Sequence, residues 1–295
     1  MRKLLRYLRD YRKETVLAPL FKMLEASFEL LVPFVVAAII DVGIPAGDTG
    51  YIVRMCLVLV ALAVVGCVSS ITAQYYAARA AAGFATQLRH AAFSHLQALP
   101  FSALDRIGTA TLITRLTSDI NQAQSGVNLV LRLFLRSPFI VLGATVMAFT
   151  IDAGEAVTFV IAVPALSLVV FGVLLLSLPL YGRVQAALDR VLGKTREALS
   201  GARVVRAFNR EQDEIAAFGE GNERLTRLQQ RAQRLSAVMN PATYVIVNLA
   251  IIALLQSGAV KVDVGELSQG KVVALVNYMS QVLVELVKLA NLIIT

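Results

Sequence analysis

The sequence predicts an all-α membrane protein: six transmembrane helices with long cytoplasmic helical extensions. Three observations carry that prediction. Apolar residues make up 57% of the 295 positions and charged residues only 16%, whereas a soluble domain carries about a quarter charged. The tracts 30–40, 56–68, 139–149, 156–180 and 244–255 are almost free of charge. The basic residues, in contrast, gather in alternate links between those tracts. A large soluble helical core is the competing reading, and so many long apolar tracts disfavour it.

A spanning helix needs about 20 mostly apolar residues to cross ~30 Å of hydrocarbon. On that measure the spans lie near 18–42, 52–76, 129–151, 156–180, 238–260 and 272–294. Arg2, Lys3, Arg6, Arg9, Arg12 and Lys13 precede the first span, so the positive-inside rule puts the N-terminus in the cytoplasm. With Leu4, Leu5 and Leu8 interleaved, residues 1–14 read as a short amphipathic helix at the inner surface. That start is too charged for a signal-peptide core, and no cleavage site follows it. The stretch 77–116 adds four arginines and 183–234 adds eleven basic residues. The links 43–51, 152–155 and 261–271 carry few and fit the outer face. Both termini are then inside, in a multi-pass protein of a plasma or bacterial inner membrane. The net charge of +8 reflects loops near anionic lipid, and no aromatic-rich basic patch argues for nucleic acid.

The cytoplasmic links have helical composition. Residues 72–99 are rich in Ala, Leu, Gln and Arg with no proline until Pro100, so helix continues out of the second span. A helix over 51–99 would be ~70 Å long, more than twice the hydrocarbon thickness. After a break at about 100–108, helix resumes into the third span, and the pattern recurs around 201–219. Two helical hairpins therefore project into the cytoplasm, with tips at about 100–108 and 207–218.

Catalytic signals are absent from the motifs read. No His-Glu-x-x-His, Gly-x-Ser-x-Gly or CxxC occurs. His90 and His95 lack the cysteines or paired acids of a metal site. Cys56 and Cys67, eleven residues apart on one helix, cannot bridge and read as buried structural thiols. The run Gly265…Gly270-Lys271 imitates a phosphate-binding loop, but Val272 stands where that loop needs Ser or Thr for magnesium. Gly265 and Gly270 read instead as turn residues, with Ser268 the candidate N-cap of the sixth span.

The tips carry a further pattern. "LSGARVVRAFNREQDEIAAFGEGNERL" (199–225) resembles the second intracellular loop of ATP-binding-cassette exporters, through Gly201, Val205, Arg206, Ala207, Phe208, Glu211, Glu214 and Phe218. "FSALDRIGTATLITRLTSDINQ" (101–122) is similar to the first, through Phe101, Asp105, Thr109, Leu112, Arg115, Leu116, Thr117 and Asp119. Ala110 stands in place of the usual glycine there. Gly265, Leu267, Ser268 and Gly270, followed by Asn277 and Tyr278, fit the family's approach to its sixth span. The resemblance covers essentially the whole chain. It implies the permease half of an ATP-driven exporter for drugs, lipids or peptides, paired with a second half as homo- or heterodimer in membrane lipid. It further implies ATP and magnesium at nucleotide-binding domains, absent from this chain or separate from it, so the chain alone is no enzyme. Coupling to those domains falls to Phe101, Leu104, Asp105, Phe208, Arg210, Glu211, Glu214 and Phe218. A non-transporting regulatory or assembly subunit on the same helices is the alternative.

Charges within spans are costly and mark candidate function. Lys22, Glu25 and Glu29 share a face of the first helix, Arg132 and Arg136 stand one turn apart on the third, and Glu285 and Lys288 share a face of the sixth. They either line a polar cavity or fasten helices by pairing with one another. The cavity candidates are Glu25, Glu29, Arg136, Asn248, Asn277, Tyr278, Gln281, Glu285 and Lys288. Pro164, Pro179 and Pro241 are candidate kinks.

Overall fold

A computed structural model describes residues 5–294; Arg2, Lys3 and Leu4 of the expected N-terminal helix lie outside them. Six long helical runs follow one another: α1 (Arg6–Ala46), α2 (Thr49–Gln97), α3 (Thr109–Ile151), α4 (Ala153–Ser200), α5 (Glu211–Asp263) and α6 (Gln269–Ile294). Each holds a stretch long and apolar enough to cross a membrane. The runs α2, α4 and α5 have 49, 48 and 53 residues, or about 70–80 Å at 1.5 Å per residue.

Local chemistry sets the ends. Gly47, at φ +61°, closes α1 in the left-handed conformation that glycine adopts freely. The Asp48 side chain accepts the Tyr51 N–H at 2.9 Å and starts α2. Asp152 does the same for α4 through Glu155 N–H at 2.8 Å. Pro100 stops α2, and a short helix, Phe101–Ile107, forms the first tip before Gly108 at φ +80°. The second tip is the helix Ala202–Ala207, ended by Asn209 at φ +52°. Glu211, Asp213 and Glu214 then fill the first turn of α5, where carboxylates complement the helix dipole.

The chain divides into two compact units, one built on residues up to Val160 with Ala250–Leu292 and the other on Ile161–Leu249. In the first, Ala18, Ala26 and Ala37 of α1 and Ala73, Ala77, Ala81 and Ala85 of α2 are buried. Small residues at helical spacing let the backbones approach closely, which is how helices associate in lipid. The interior of α6 includes Tyr278, Met279 and Val282, all fully buried. In the second unit, the outward legs of α4 and α5 close over Ala187, Val191 and Leu225. Tyr181 and Ser236 bond through their hydroxyls at 3.1 Å, and Lys194 Nζ donates to Ala217 O at 3.1 Å.

Four expectations change. The N-terminal segment is a 3₁₀ run, Leu5–Tyr11, leading into α-helix, and it docks on α2: Tyr11 packs so closely on Gly83 that a Cβ there would meet the ring at 2.2 Å. Cys56 and Cys67 are exposed, because the apolar outer face of α2 suits a bilayer as well as a core. Ser268 holds the N-cap position of α6, its carbonyl accepting the Val272 N–H at 3.2 Å, but its side chain does not do the capping. Asp41, from α1, accepts the Gly270 N–H at 2.7 Å and the Ser268 hydroxyl at 2.5 Å. Gly270 is accordingly helical and not a turn residue: a Cβ would lie 2.4 Å from Ala37 O, backbone that cannot step aside. Gly265, at φ +78°, is a turn residue.

Candidate functional site

The intramembrane charges of three helices converge. Arg136, on α3, donates from Nη1 to Glu285 Oε1 of α6 and from Nη2 to Glu29 Oε2 of α1, each at 2.6 Å. Ser137 Oγ donates to the other Glu285 oxygen at 2.9 Å, and Lys288 Nζ reaches Glu285 at 2.9 Å. Two carboxylates and two cations thus balance in one network. The wide turn Val130–Phe134 precedes Arg136, and Pro138 cannot donate to the Phe134 carbonyl four residues back. Such a turn rotates the following residues relative to a regular helix.

The network has a dry side and an open side. The Arg136 and Glu285 side chains are 10% and 3% exposed, against 41% for Glu29 and 48% for Lys288. The open pair lines a cleft of about 410 Å³ with Glu285, Asn277, Ser280, Gln281 and apolar residues of α1, α3 and α6. The two readings of these charges therefore overlap at Glu285. Arg136 and Glu285 fasten three helices, Glu285 also forms part of the cleft wall, and Glu29 and Lys288 present opposite charges to a space large enough for a small ligand.

Other candidates go elsewhere. Glu25 pairs with Lys22 at 2.6 Å, and Lys22 also reaches Ser70 of α2 at 3.2 Å. Tyr278 does not line the cleft: it is fully buried, its hydroxyl donating to Leu30 O at 2.6 Å. An aromatic with a polar tip serves an interior contact here. Asn248 donates to Tyr244 O on its own helix at 2.8 Å. Arg132 has a buried Nε without a partner among the described residues. Sequence reasoning missed Ser137, buried against Glu285, and Ser280, in the cleft wall, since only the tertiary register tells either from any other serine.

A second polar cluster ties the links between spans. Lys261 Nζ donates to Asp152 at 2.6 Å and lies 3.1 Å from Glu155; Glu155 also accepts from Ser257 at 2.6 Å. The bond from Lys261, aided by the Glu155 N–H, holds the Asp152 carboxyl below the usual aspartate range. The same bond raises the Lys261 ammonium above its ordinary value, against the effect of burial. Asp152 thus stabilises the fold above the ordinary aspartate pKa of ~3.9, and that contribution fades as pH falls through its lowered value. Lys261 stabilises below the ordinary lysine pKa of ~10.4, fading as pH rises through its raised value. Lys261→Met is expected to lower stability by about 1 kcal/mol. Melting curves of both proteins across pH should show a constant gap from pH 5 to about 10, narrowing outside it. A gap that drifts between pH 6 and 8 would show that the clasp is not responsible.

At the tips, Phe101 is 87% exposed and Phe208 73%. Ile107, Ile215 and Phe218 are also exposed, Leu104 and Glu211 are half-buried, and Asp105 and Glu214 face solvent. Arg210 pairs with Asp213.

The sequence pattern of the ABC transporter transmembrane region matches residues 15–286. An uncharacterised ABC transporter ATP-binding protein of Mycobacterium bovis is 31% identical over 277 residues, 94% of this chain and 48% of that protein. One from Bacillus subtilis is 28% identical over 282 residues, 96% of this chain and 49% of its own. A protein named fatty acid ABC transporter ATP-binding/permease protein, also of Mycobacterium bovis, is 27% identical over 194 residues, 66% of this chain and 31% of its own. The chain spans about half the length of the first two.

Proposed function

Since this chain belongs to the ABC transporter transmembrane region family, we propose that it is the permease half of an ATP-driven exporter of hydrophobic or amphipathic molecules. The observation that carries the reading is the pairing of length and exposure. Helices more than twice the bilayer thickness end in tips whose large apolar residues, Phe101 and Phe208, have no cover of their own. Such tips fit clefts on moving ATP-binding domains, for which the unmatched half of the ATP-binding relatives leaves room. With the basic links cytoplasmic, both termini lie inside and the clasp of Asp152, Glu155 and Lys261 faces out. Two such halves enclose a pathway that opens alternately to either side. Glu29 and Lys288 then offer a charged edge on an apolar wall, suited to an amphiphile. The fatty acid in one relative's name belongs to that chemical class.

The test is ATP-dependent movement. The complete transporter, reconstituted in vesicles with its ATP-binding domains outward, should carry a fluorescent amphiphile inward only with magnesium and ATP. An imposed proton gradient should not replace ATP. Absence of any ATP-dependent movement across a panel of amphiphiles would favour a non-transporting assembly subunit.

A further inference from the structure

The second unit holds a cleft of about 520 Å³ that neither the tips nor the charge network uses, lined by Arg183 and Arg190 of α4 and by Arg224, Arg227 and Arg231 of α5. Positions 183 and 190 are seven apart, and 224, 227 and 231 follow i, i+3, i+7, so each set shares one helix face. The two faces flank the apolar seam of Ala187, Val191 and Leu225. The Tyr181–Ser236 and Lys194–Ala217 bonds fix an antiparallel register. In that register Arg183 stands near the level of Arg231 and Arg190 near that of Arg224. The arginines therefore form two tiers about 10 Å apart along the helices, with Arg227 between them.

Five like charges around one cleft repel and focus a positive field into it. Arg227 pairs with Glu223 at 3.2 Å. Among the described residues, none of the other four lies within 4 Å of a carboxylate oxygen. The cleft therefore favours an anion from outside the chain, and its position says from which phase. Arg183 and Arg231 lie about 5 and 10 Å beyond the expected span ends, Arg190 and Arg224 about 15 and 21 Å beyond. A headgroup layer is only about 5–8 Å deep on each side, so the second tier stands in water. Guanidinium matches phosphate through bidentate bonding. A lone phosphate reaches one tier, whereas a chain of phosphates reaches from one to the other. The rest of the lining, Ala186 and Leu228, offers no aromatic face on which a base would stack, so the walls read phosphate.

We propose that the arginine-lined cleft between α4 and α5 binds a soluble oligophosphate from the aqueous phase on the basic side of the membrane. On the topology proposed above that phase is the cytoplasm, and only this choice of compartment rests on that reading. The phosphate chain neutralises both tiers at once and braces the two legs against each other.

The test uses the purified chain in detergent at fixed ionic strength, with titration calorimetry and thermal melting as readouts. Inorganic tripolyphosphate should bind and raise the melting temperature, and orthophosphate should bind at least about tenfold more weakly. ATP is the second arm: affinity equal to tripolyphosphate's assigns a nucleotide source, and weaker affinity an inorganic one. Arg190→Gln with Arg224→Gln and Arg231→Gln should weaken tripolyphosphate binding at least about tenfold. Lysine at the same three positions keeps the charge without the planar fork and should weaken it less. Arg203→Gln with Arg206→Gln, at the second tip, should leave it unchanged. Because the five cleft arginines are exposed, helical content should survive, which circular dichroism checks. Equal tripolyphosphate binding by the glutamine triple variant would overturn the site. Equal affinity for orthophosphate and tripolyphosphate would overturn the two-tier reading, and stronger protection by cardiolipin than by tripolyphosphate would overturn the soluble source.

Discussion

Arg136→Met is expected to destabilise the membrane region by about 3–5 kcal/mol, the range for breaking a buried ion pair. The guanidinium joins α1, α3 and α6 through two 2.6 Å bonds, and its loss leaves Glu285, 3% exposed, with only Lys288 as a cation. The control is a double replacement. Arg136→Met with Glu285→Met exchanges charge for packing and should recover much of the lost stability, since such exchanges are often neutral. Melting of the purified variants reads both effects. Lys288→Gln, on the open side of the network, should instead alter which amphiphiles are carried while shifting melting little. A marginal loss for Arg136→Met, or an equal loss for Lys288→Gln, would reject this division of roles.

Phe208→Ala is expected to uncouple the complete transporter. Truncating a central interface anchor costs about 2 kcal/mol or more, enough to reduce productive docking more than tenfold. ATP hydrolysis should continue, its stimulation by substrate should disappear, and transport should fall by at least about that factor. The ring is 73% exposed, so melting of the membrane helices should not move. Phe101→Ala should act in the same direction. Normal transport by both variants would remove the tips from any coupling role.

Much of the architecture is legible in the sequence because lipid simplifies the rules. Apolar length finds the spans, and the composition of 72–99 predicts helix continuing beyond hydrocarbon; α2 ends at Gln97, two residues from the expected position. The charged network is half legible. Glu29, Arg136, Glu285 and Lys288 stand out as charges in apolar tracts, but their partition into dry and open sides depends on register between helices. The wide turn before Arg136 has one local sign, Pro138, visible only once the turn is known. Asp152 and Lys261 are hidden for another reason. Each looks like an ordinary link residue, and their pairing joins positions 109 apart. The arginines at 183–231 are conspicuous as charge, yet counting charge for topology says nothing of a shared cleft.

The cap that Asp41 gives to α6 bears on how the chain is made. A helix start is usually completed by a neighbouring residue, but here the acceptor comes from 229 positions earlier. Chains fold from the N-terminus during synthesis, so α1 is inserted long before its partner exists. Its carboxylate remains an open receptor through the insertion of four further helices. Arrival of Ser268 and Gly270 satisfies it, and the same event fits the side-chain-free Gly270 against Ala37 O. Closure of α6 onto α1 therefore waits for the sixth helix, and a chain cut before Gly270 would leave the Asp41 carboxylate without the Gly270 N–H that it caps.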